Sequence, residues 1–224
     1  FGLMGLNGIG KTTLIKTMLG LKEANSGAIQ IEGKSISDIE GKKNLAYLPE
    51  RFEPPFFMKG IEFLKHTLSL YGMSYDKAKA HNGAEDLALD IEALDRRIGT
   101  YSKGMRQKLG LLATFLTPCH NIILDEPMSG LDPKARLKVK IMLEKAKREN
   151  RTIFLSSHIL ADMHEICDNV AILHDKVIPF MGTPAALLQQ TKVKTLEQAF
   201  LDIIENKMED ISSIFLNYTM FKLV

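Results

Sequence analysis

The feature that most restricts how this chain can fold is the glycine-rich stretch GLNGIGKTT at residues 5–13. It has the spacing of a phosphate-binding loop, which lies between a buried strand and a helix. Glycines let the backbone amides surround phosphate groups. We expect Lys11 to reach the β- and γ-phosphates and the Thr12 hydroxyl to bind Mg²⁺. The predicted phosphate-binding residues are Gly5, Asn7, Gly8, Gly10, Lys11, Thr12 and Thr13.

Short apolar runs alternate with helical periodicity along the chain, which predicts an α/β fold with a mainly parallel sheet. A short helix is predicted over residues 13–19, and a hairpin is predicted around Glu32 and Gly33. Residues 58–116 have a helical pattern that interrupts the alternation, so they are expected to form a separate lobe. The predicted strands are Phe1 to Met4, NLAYLP (44–49), NIILDE (121–126), RTIFLSSH (151–158) and NVAILH (169–174).

Composition indicates which classes of protein can be set aside. The chain has 224 residues, 45% of them hydrophobic, which is enough for a sizeable core. Its net charge is +2 and its charges are interleaved, so no nucleic-acid partner is predicted. Its apolar runs are shorter than the roughly 20 residues that span a bilayer. Without a recognisable signal peptide, we expect a cytosolic protein with Cys119 and Cys167 reduced and buried.

The apolar run NIILDE places two carboxylates at the end of a predicted strand, where open parallel sheets bind ligands. Asp125 is expected to hold Mg²⁺ through water. Glu126, directly after it, is expected to orient or deprotonate an attacking water. His158 follows the next predicted strand and is expected to contact the γ-phosphate.

A second site for anions is predicted at TYSKGMRQK, residues 100–108, where a loop turns into a helix with Ser102 and Gly104 at its start. Together these stretches resemble the nucleotide-binding subunit of ATP-binding cassette (ABC) transporters over nearly the whole chain. The resemblance identifies YSKGM as the family signature, usually written LSGGQ, and SGLD, residues 129–132, as the dimer-contact loop.

This resemblance implies an ATPase that requires ATP and Mg²⁺ and has a RecA-like P-loop core with an inserted helical lobe. Two cassettes would pair head to tail, each ATP lying between one subunit's phosphate loop and the other's signature helix. Ser102 and Gly104 would then form the partner's half of the site. Asp132 would lie at the dimer contact, and His158 would be the switch histidine.

Some residues depart from the family pattern. Glu50 stands where the family usually has glutamine, so we expect its carboxylate either to lie near Mg²⁺ or to point away. Tyr101, Lys103 and Met105 replace leucine, glycine and glutamine in the signature, a variant that resembles bacterial exporters of the multidrug type. The chain begins without the strand that carries the adenine-stacking aromatic residue, which predicts an N-terminally truncated cassette with weaker ATP binding.

The resemblance also implies a membrane permease as partner, docking near residues 50–60, and hence a peripheral location on the cytoplasmic face of the membrane. The alternative for the phenylalanines of that segment is core packing. The cassette domain is expected over residues 1–190, with a helical tail over 191–224. Apolar stripes there include Leu196, Ala199, Phe200, Ile203 and Ile204, continued by Met208, Ile211, Phe215 and Tyr218.

Two other functions remain open at this point. A cassette ATPase without a transporter would normally carry two cassettes or a long coiled-coil insertion. A regulatory cassette that does not hydrolyse ATP is disfavoured by Lys11, Asp125, Glu126 and His158. The sequence identifies neither the cargo nor whether the dimer has identical subunits.

Overall fold

The computed structural model describes residues 1–206. The strands are β1 (Gly2–Met4), β2 (Gln30–Ile31), β3 (Lys34–Ser35), β4 (Leu45–Leu48), β5 (Asn121–Asp125), β6 (Thr152–Ser157), β7 (Val170–His174) and β8 (Val177–Gly182). The helices are α1 (Lys11–Met18), α2 (Ile39–Lys42), α3 (Gly60–Leu70), α4 (Lys77–Asp86), α5 (Lys103–Leu116), α6 (Pro133–Arg148), α7 (Leu160–Ile166), α8 (Pro184–Thr191) and α9 (Leu196–Asn206). Short 3-10 helices span Ile91–Asp95 and Ile98–Thr100.

The chain divides into two compact units. The first contains residues 1–43 and continues from Phe154 onward; the second is Asn44–Ile153. Because the chain leaves the first unit after residue 43 and returns to it at 154, strands distant in sequence become neighbours within it.

In the first unit, β1 lies between β6 and β7 and runs parallel to both. Gly2 pairs with Leu155 on one side and with Val170 on the other. Leu3 and Met4 have no exposed surface, as expected for a strand covered on both faces of a parallel sheet. The carboxyl end of this buried strand leads directly into the phosphate loop.

In the second unit, β4 and β5 form a parallel pair, with Leu45 opposite Asn121 and Leu48 opposite Leu124. Every residue of β5 is buried. The 14-residue helix α5 buries Leu109, Leu111 and Leu112. Burying a side chain of this size contributes roughly 1.5–3 kcal/mol, so β5 and α5 are anchored by the core of their own unit.

The predicted α/β fold with mainly parallel strands is confirmed. Helix α1 begins at Lys11, two residues before the predicted start. The predicted hairpin is present, with Gln30 opposite Ser35. The elements between residues 60 and 116 are helical. The bounds of the lobe at 58 and 116 and of the domain at 190 stay predictions.

Part of the predicted C-terminal tail lies within α9. Its apolar stripe packs against α7, α8 and β8. Leu196, Ala199, Phe200 and Ile203 are buried, and Ile204 is partly exposed. Met208, Ile211, Phe215 and Tyr218 lie outside the described residues.

Cys119 and Cys167 are both buried, which confirms that part of the prediction, and no disulfide joins them in this structure. Within residues 1–206, no helix combines the length and apolarity needed to cross a membrane.

Candidate functional site

The glycines of the phosphate loop are needed for two different reasons. Gly8 and Gly10 have φ angles of 79° and 114°, which favour glycine, although a side chain would meet nothing within 4 Å at either position. At Gly5 the limit is space, because a Cβ there would lie 2.9 Å from the carbonyl oxygen of Leu173 on β7. The first glycine thus fits the loop against the sheet, and the other two let the backbone turn.

Lys11 is held inside this loop. Its side chain is buried, and Nζ donates to the carbonyl oxygens of Gly5 at 2.8 Å and Leu6 at 3.3 Å. Thr12 beside it is partly exposed, and Asn7 and Thr13 are exposed. The loop therefore presents a fixed ammonium group, a hydroxyl and the amides at the start of α1, which is a donor set suited to phosphate.

His158 belongs to the same unit and lies directly after β6. The Ser157 hydroxyl accepts a hydrogen bond from the backbone N–H of Ile159 at 3.0 Å, which fixes the turn around the histidine. His158 itself is exposed. Its position at a strand end, with its ring accessible, is consistent with contact to a ligand.

Asp125 and Glu126 lie in the second unit at the end of β5, and both are buried. Glu126 has a φ of 51°, in the left-handed region that costs a residue with a side chain about 1 kcal/mol. The turn is held by hydrogen bonds on its carbonyls. Ser129 N–H donates to Glu126 at 3.1 Å, and Gln107 Nε2 on α5 donates to Pro127 at 3.2 Å.

Glu50 is exposed, but it lies close enough to a buried phenol to affect its ionisation. The pKa of Tyr47 on β4 is raised to about 12 by burial, and further by the negative charges of Asp125 and Glu50. The negative charges of Asp125 and Glu50 therefore both reach the Tyr47 hydroxyl. Tyr47 could not be predicted from the sequence, because only the pairing of β4 with β5 places it near Asp125.

The signature segment begins α5. Ser102 is its N-cap: the hydroxyl oxygen accepts from the backbone N–H of Met105 at 3.2 Å. A Cβ at Gly104 would come no closer than 3.9 Å to Leu131, so space alone does not require glycine there. Asp132 likewise caps α6, accepting from Ala135 N–H at 2.9 Å. Both caps are exposed.

The predicted docking segment, residues 50–60, contains one partly buried phenylalanine and two that are exposed. Phe52 is partly buried, and its ring meets Phe63 edge-on with centroids 5.6 Å apart. A Cβ at Gly110 would lie 2.8 Å from the Phe52 ring, so this phenylalanine packs on α5. Phe56 and Phe57 instead expose 53% and 78% of their surface.

The predicted site residues are divided between the two units of the chain. Lys11, Thr12 and His158 belong to the first unit, whereas Asp125 and Glu126 belong to the second. The second unit also contains Glu50, Ser102, Gly104 and Asp132. Among the described residues, no group of three or more histidine, cysteine, aspartate or glutamate side chains could hold a metal ion. The individual roles in ATP and metal binding stay predictions.

Residues 1–129 match the ABC transporter family. An uncharacterized ABC transporter ATP-binding protein of Synechocystis sp. is 40% identical over 191 residues, covering 84% of this chain and 54% of that protein. The ABC-type transporter ATP-binding protein EcsA of Bacillus subtilis is 32% identical, covering 90% of this chain and 84% of EcsA.

A solved structure of an ATP-binding subunit of an ABC transporter shares the fold with a TM-score of 0.82. It is 31% identical in sequence, with 90% of this chain and 86% of the other covered. By contrast, the chain spans a little over half the length of the Synechocystis protein and of a similar ATP-binding protein from Nostoc sp., 54% and 57% respectively.

Proposed function

Because the chain belongs to the family of ABC transporter ATP-binding proteins, we propose that it hydrolyses ATP to power export through a separate membrane permease. ABC ATP-binding proteins are ATPases coupled to transport. The observation that supports hydrolysis most strongly here is the buried Asp125–Glu126 pair, held at the end of β5 with Glu126 in a left-handed conformation. Backbone strain of this kind is common at functional sites.

In this proposal the phosphate loop binds the ATP phosphates. Its amides and the Lys11 ammonium offset the negative charge, and the backbone of Gly8 and Gly10 leaves the loop open toward the ligand. Lys11 contacts carbonyl oxygens of the loop in this structure, so its charge is already positioned close to where phosphate would bind. His158 would contact the γ-phosphate.

The predicted metal ligands are also of the chemical type that binds a magnesium ion. Mg²⁺ prefers oxygen ligands and is usually held by one or two carboxylates together with substrate phosphates. The Thr12 hydroxyl and the Asp125 carboxylate supply such oxygens, and Glu50 is a third candidate. Bound Mg²⁺ would neutralise charge on the phosphates. Glu126 would orient or deprotonate the attacking water.

We further propose that two cassettes share each ATP. Ser102 and Gly104 stand at the exposed start of α5, where a neighbouring chain has access to the helix N-terminus. Positive charge at that end of the helix favours an anion such as a phosphate. Asp132, exposed at the start of α6, would contribute to the contact between subunits.

Exposed Phe56 and Phe57 would bind the permease, and the protein would then lie on the cytoplasmic face of the membrane. Aromatic side chains of this size contribute strongly when they become buried in an interface. The SKGM form of the signature favours export over import.

The experiment that tests hydrolysis is Glu126→Gln in the full-length protein. Loss of the carboxylate should lower ATP turnover by roughly 10² or more while ATP binding is retained, because the base acts only in the chemical step. Turnover would be measured as phosphate release and binding by calorimetry. Exposed Glu149→Gln is the matched control. Turnover within a few-fold of wild type would exclude Glu126 as the base.

A further inference from the structure

The exposed docking segment is joined by backbone hydrogen bonds to residues 96–99, which precede the signature. Gly99 N–H donates to the Phe56 carbonyl at 3.0 Å, and Ile98 N–H donates to the Met58 carbonyl at 2.9 Å. Gly60 N–H donates to the Arg96 carbonyl at 3.3 Å. Residues 56–60 and 96–99 therefore form a short, antiparallel pair of segments, all within the second unit.

Tyr101 fastens the end of this pair just before Ser102. Its hydroxyl is buried and donates to the Ala93 carbonyl at 2.5 Å. Gly60, the first residue of α3, lies against the same hydroxyl so closely that a Cβ there would collide with it. A residue larger than glycine at position 60 would therefore disturb both the docking segment and the start of the signature.

Arg106 contacts both sides of this arrangement. Its Nη1 donates to the Tyr101 carbonyl at 2.6 Å, and its guanidinium carbon lies 5.7 Å from the centroid of the Phe56 ring. Its backbone N–H donates to the Ser102 carbonyl at 3.0 Å in the first turn of α5. The side chain of Arg106 thus joins an exposed aromatic residue to the backbone just before Ser102, and its main chain bonds to Ser102 itself.

We propose that Arg106 is a positioning residue that links occupancy of the docking segment to the placement of Ser102. This inference rests on the proposed function, because it assumes that the permease binds at exposed Phe56 and thereby affects the ATP site. A partner that buries Phe56 would change the surroundings of the guanidinium, which in turn holds the Tyr101 carbonyl. The signature half of the ATP site would then respond to the membrane partner without direct contact between them.

Arginine suits this position better than lysine. A planar guanidinium can lie against an aromatic ring while its N–H groups donate in the plane, whereas an ammonium on a flexible stem does not combine the two contacts as well. Arg106→Lys therefore keeps the charge but should break the link. Phe56→Leu keeps an apolar surface without the ring, and Phe56→Tyr keeps the ring.

The link can be tested on the full-length chain by amide hydrogen exchange at Tyr101–Met105. Arg106→Lys and Phe56→Leu should each speed exchange there roughly three-fold or more, and the double variant should exceed the larger single effect only slightly, since coupled contacts are not additive. Phe56→Tyr and the exposed control Arg148→Lys should match wild type. Wild-type exchange rates in the buried strand β5 would show that the substitutions do not lower overall stability.

Independent, additive effects of the two substitutions would overturn the link. So would wild-type exchange in Arg106→Lys. A second measurement, ATP-dependent dimerisation in a Glu126→Gln background, tests positioning itself: Arg106→Lys should weaken the dimer several-fold, and Phe56→Tyr should not. An unchanged dimer together with altered exchange would refute the positioning role. If Glu126→Gln alone fails to dimerise with ATP, the shared-site function fails while the exchange result still tests the link.

Discussion

Ser102 and Asp132 each satisfy backbone groups of their own chain and also stand where a neighbouring chain could reach them. A cap of this kind contributes typically about 1 kcal/mol. Alanine at either residue would therefore lower stability as well as any ligand contact. Substitutions that preserve the capping oxygen are the informative ones at such positions.

Asp132→Asn is such a substitution, since asparagine caps a helix about as well as aspartate. The pKa of Asp132 is lowered from its ordinary value of 3.8, chiefly by the hydrogen bond from Ala135 N–H. Its ionised form therefore adds stability above that value, and the gain is lost as the pH falls through the lowered pKa. We expect the thermal midpoint of wild type to exceed that of Asp132→Asn near neutral pH.

The difference between these two midpoints should narrow as the pH is lowered from 7 toward 3. Asp132→Ala, which also removes the cap, should stay below Asp132→Asn throughout the range. A constant difference between wild type and Asp132→Asn would show that ionisation of Asp132 does not contribute to stability.

At the scale of elements, α5 is fastened at both ends within the second unit. Ser102 caps its first turn, and Arg151 binds the chain around its last turn. The Arg151 guanidinium donates to the carbonyls of Phe115, Thr117 and Cys119 at 2.8, 3.2 and 2.9 Å. Partial burial lowers the pKa of Arg151, yet an arginine remains charged at any pH at which the protein is used.

Arg151→Lys should lower the free energy of unfolding by about 2–3 kcal/mol, because an ammonium cannot reach three carbonyls in different directions and hydrogen bonds from charged groups contribute about 1.5–3 kcal/mol. Urea denaturation followed by circular dichroism measures it. Arg148→Lys, an exposed arginine on α6, should change stability by less than about 0.5 kcal/mol. Equal effects of the two substitutions would remove Arg151 as the anchor of α5.

The strands and the order of the motifs could be predicted from the sequence, because buried parallel strands appear as short apolar runs. Strand β8 was not predicted; it contains Pro179 and lies at the edge of the sheet, where proline is tolerated. Helix α1 starts early because Gly10, with its φ of 114°, is the residue before its first turn. Contacts such as Arg151 with Phe115 join residues far apart in sequence and leave no periodic signal.

Within the candidate site, the residue types of the phosphate loop and of Asp125–Glu126 were sufficient to predict phosphate chemistry. The left-handed conformation of Glu126 could not be predicted, because glutamate has no preference for it. Arg106 lay within the quoted signature stretch, but its contact with Phe56 depends on how residues 56–60 pair with 96–99. The residue types that carry the chemistry could therefore be predicted from the sequence, whereas the contacts that hold these residues in place could not.

At the scale of the whole molecule, the proposed dimer shares each ATP between the phosphate loop of one chain and the signature of the other. Lys11→Ala damages the phosphate loop and leaves the signature, whereas Ser102→Arg blocks the signature and leaves the loop. Each variant alone should lose ATPase activity. A mixture should regain activity, because a mixed dimer restores one complete site.

Full-length chains would be mixed at equal concentration, and both phosphate release and ATP-dependent dimerisation would be followed. Wild-type protein under the same conditions is the reference for dimerisation. If wild type dimerises with ATP and the mixture regains neither property, the shared site is excluded and Ser102 keeps only its role as the cap of α5.

The two cysteines noted in the fold make the chain convenient for spectroscopic labelling. Cys119 lies in the second unit and Cys167 in the first, and both side chains are buried. Burial also raises the pKa of the Cys119 thiol, which reduces the fraction present as reactive thiolate. A cysteine introduced at an exposed site could thus carry a fluorophore or spin label while the natural thiols are left in place.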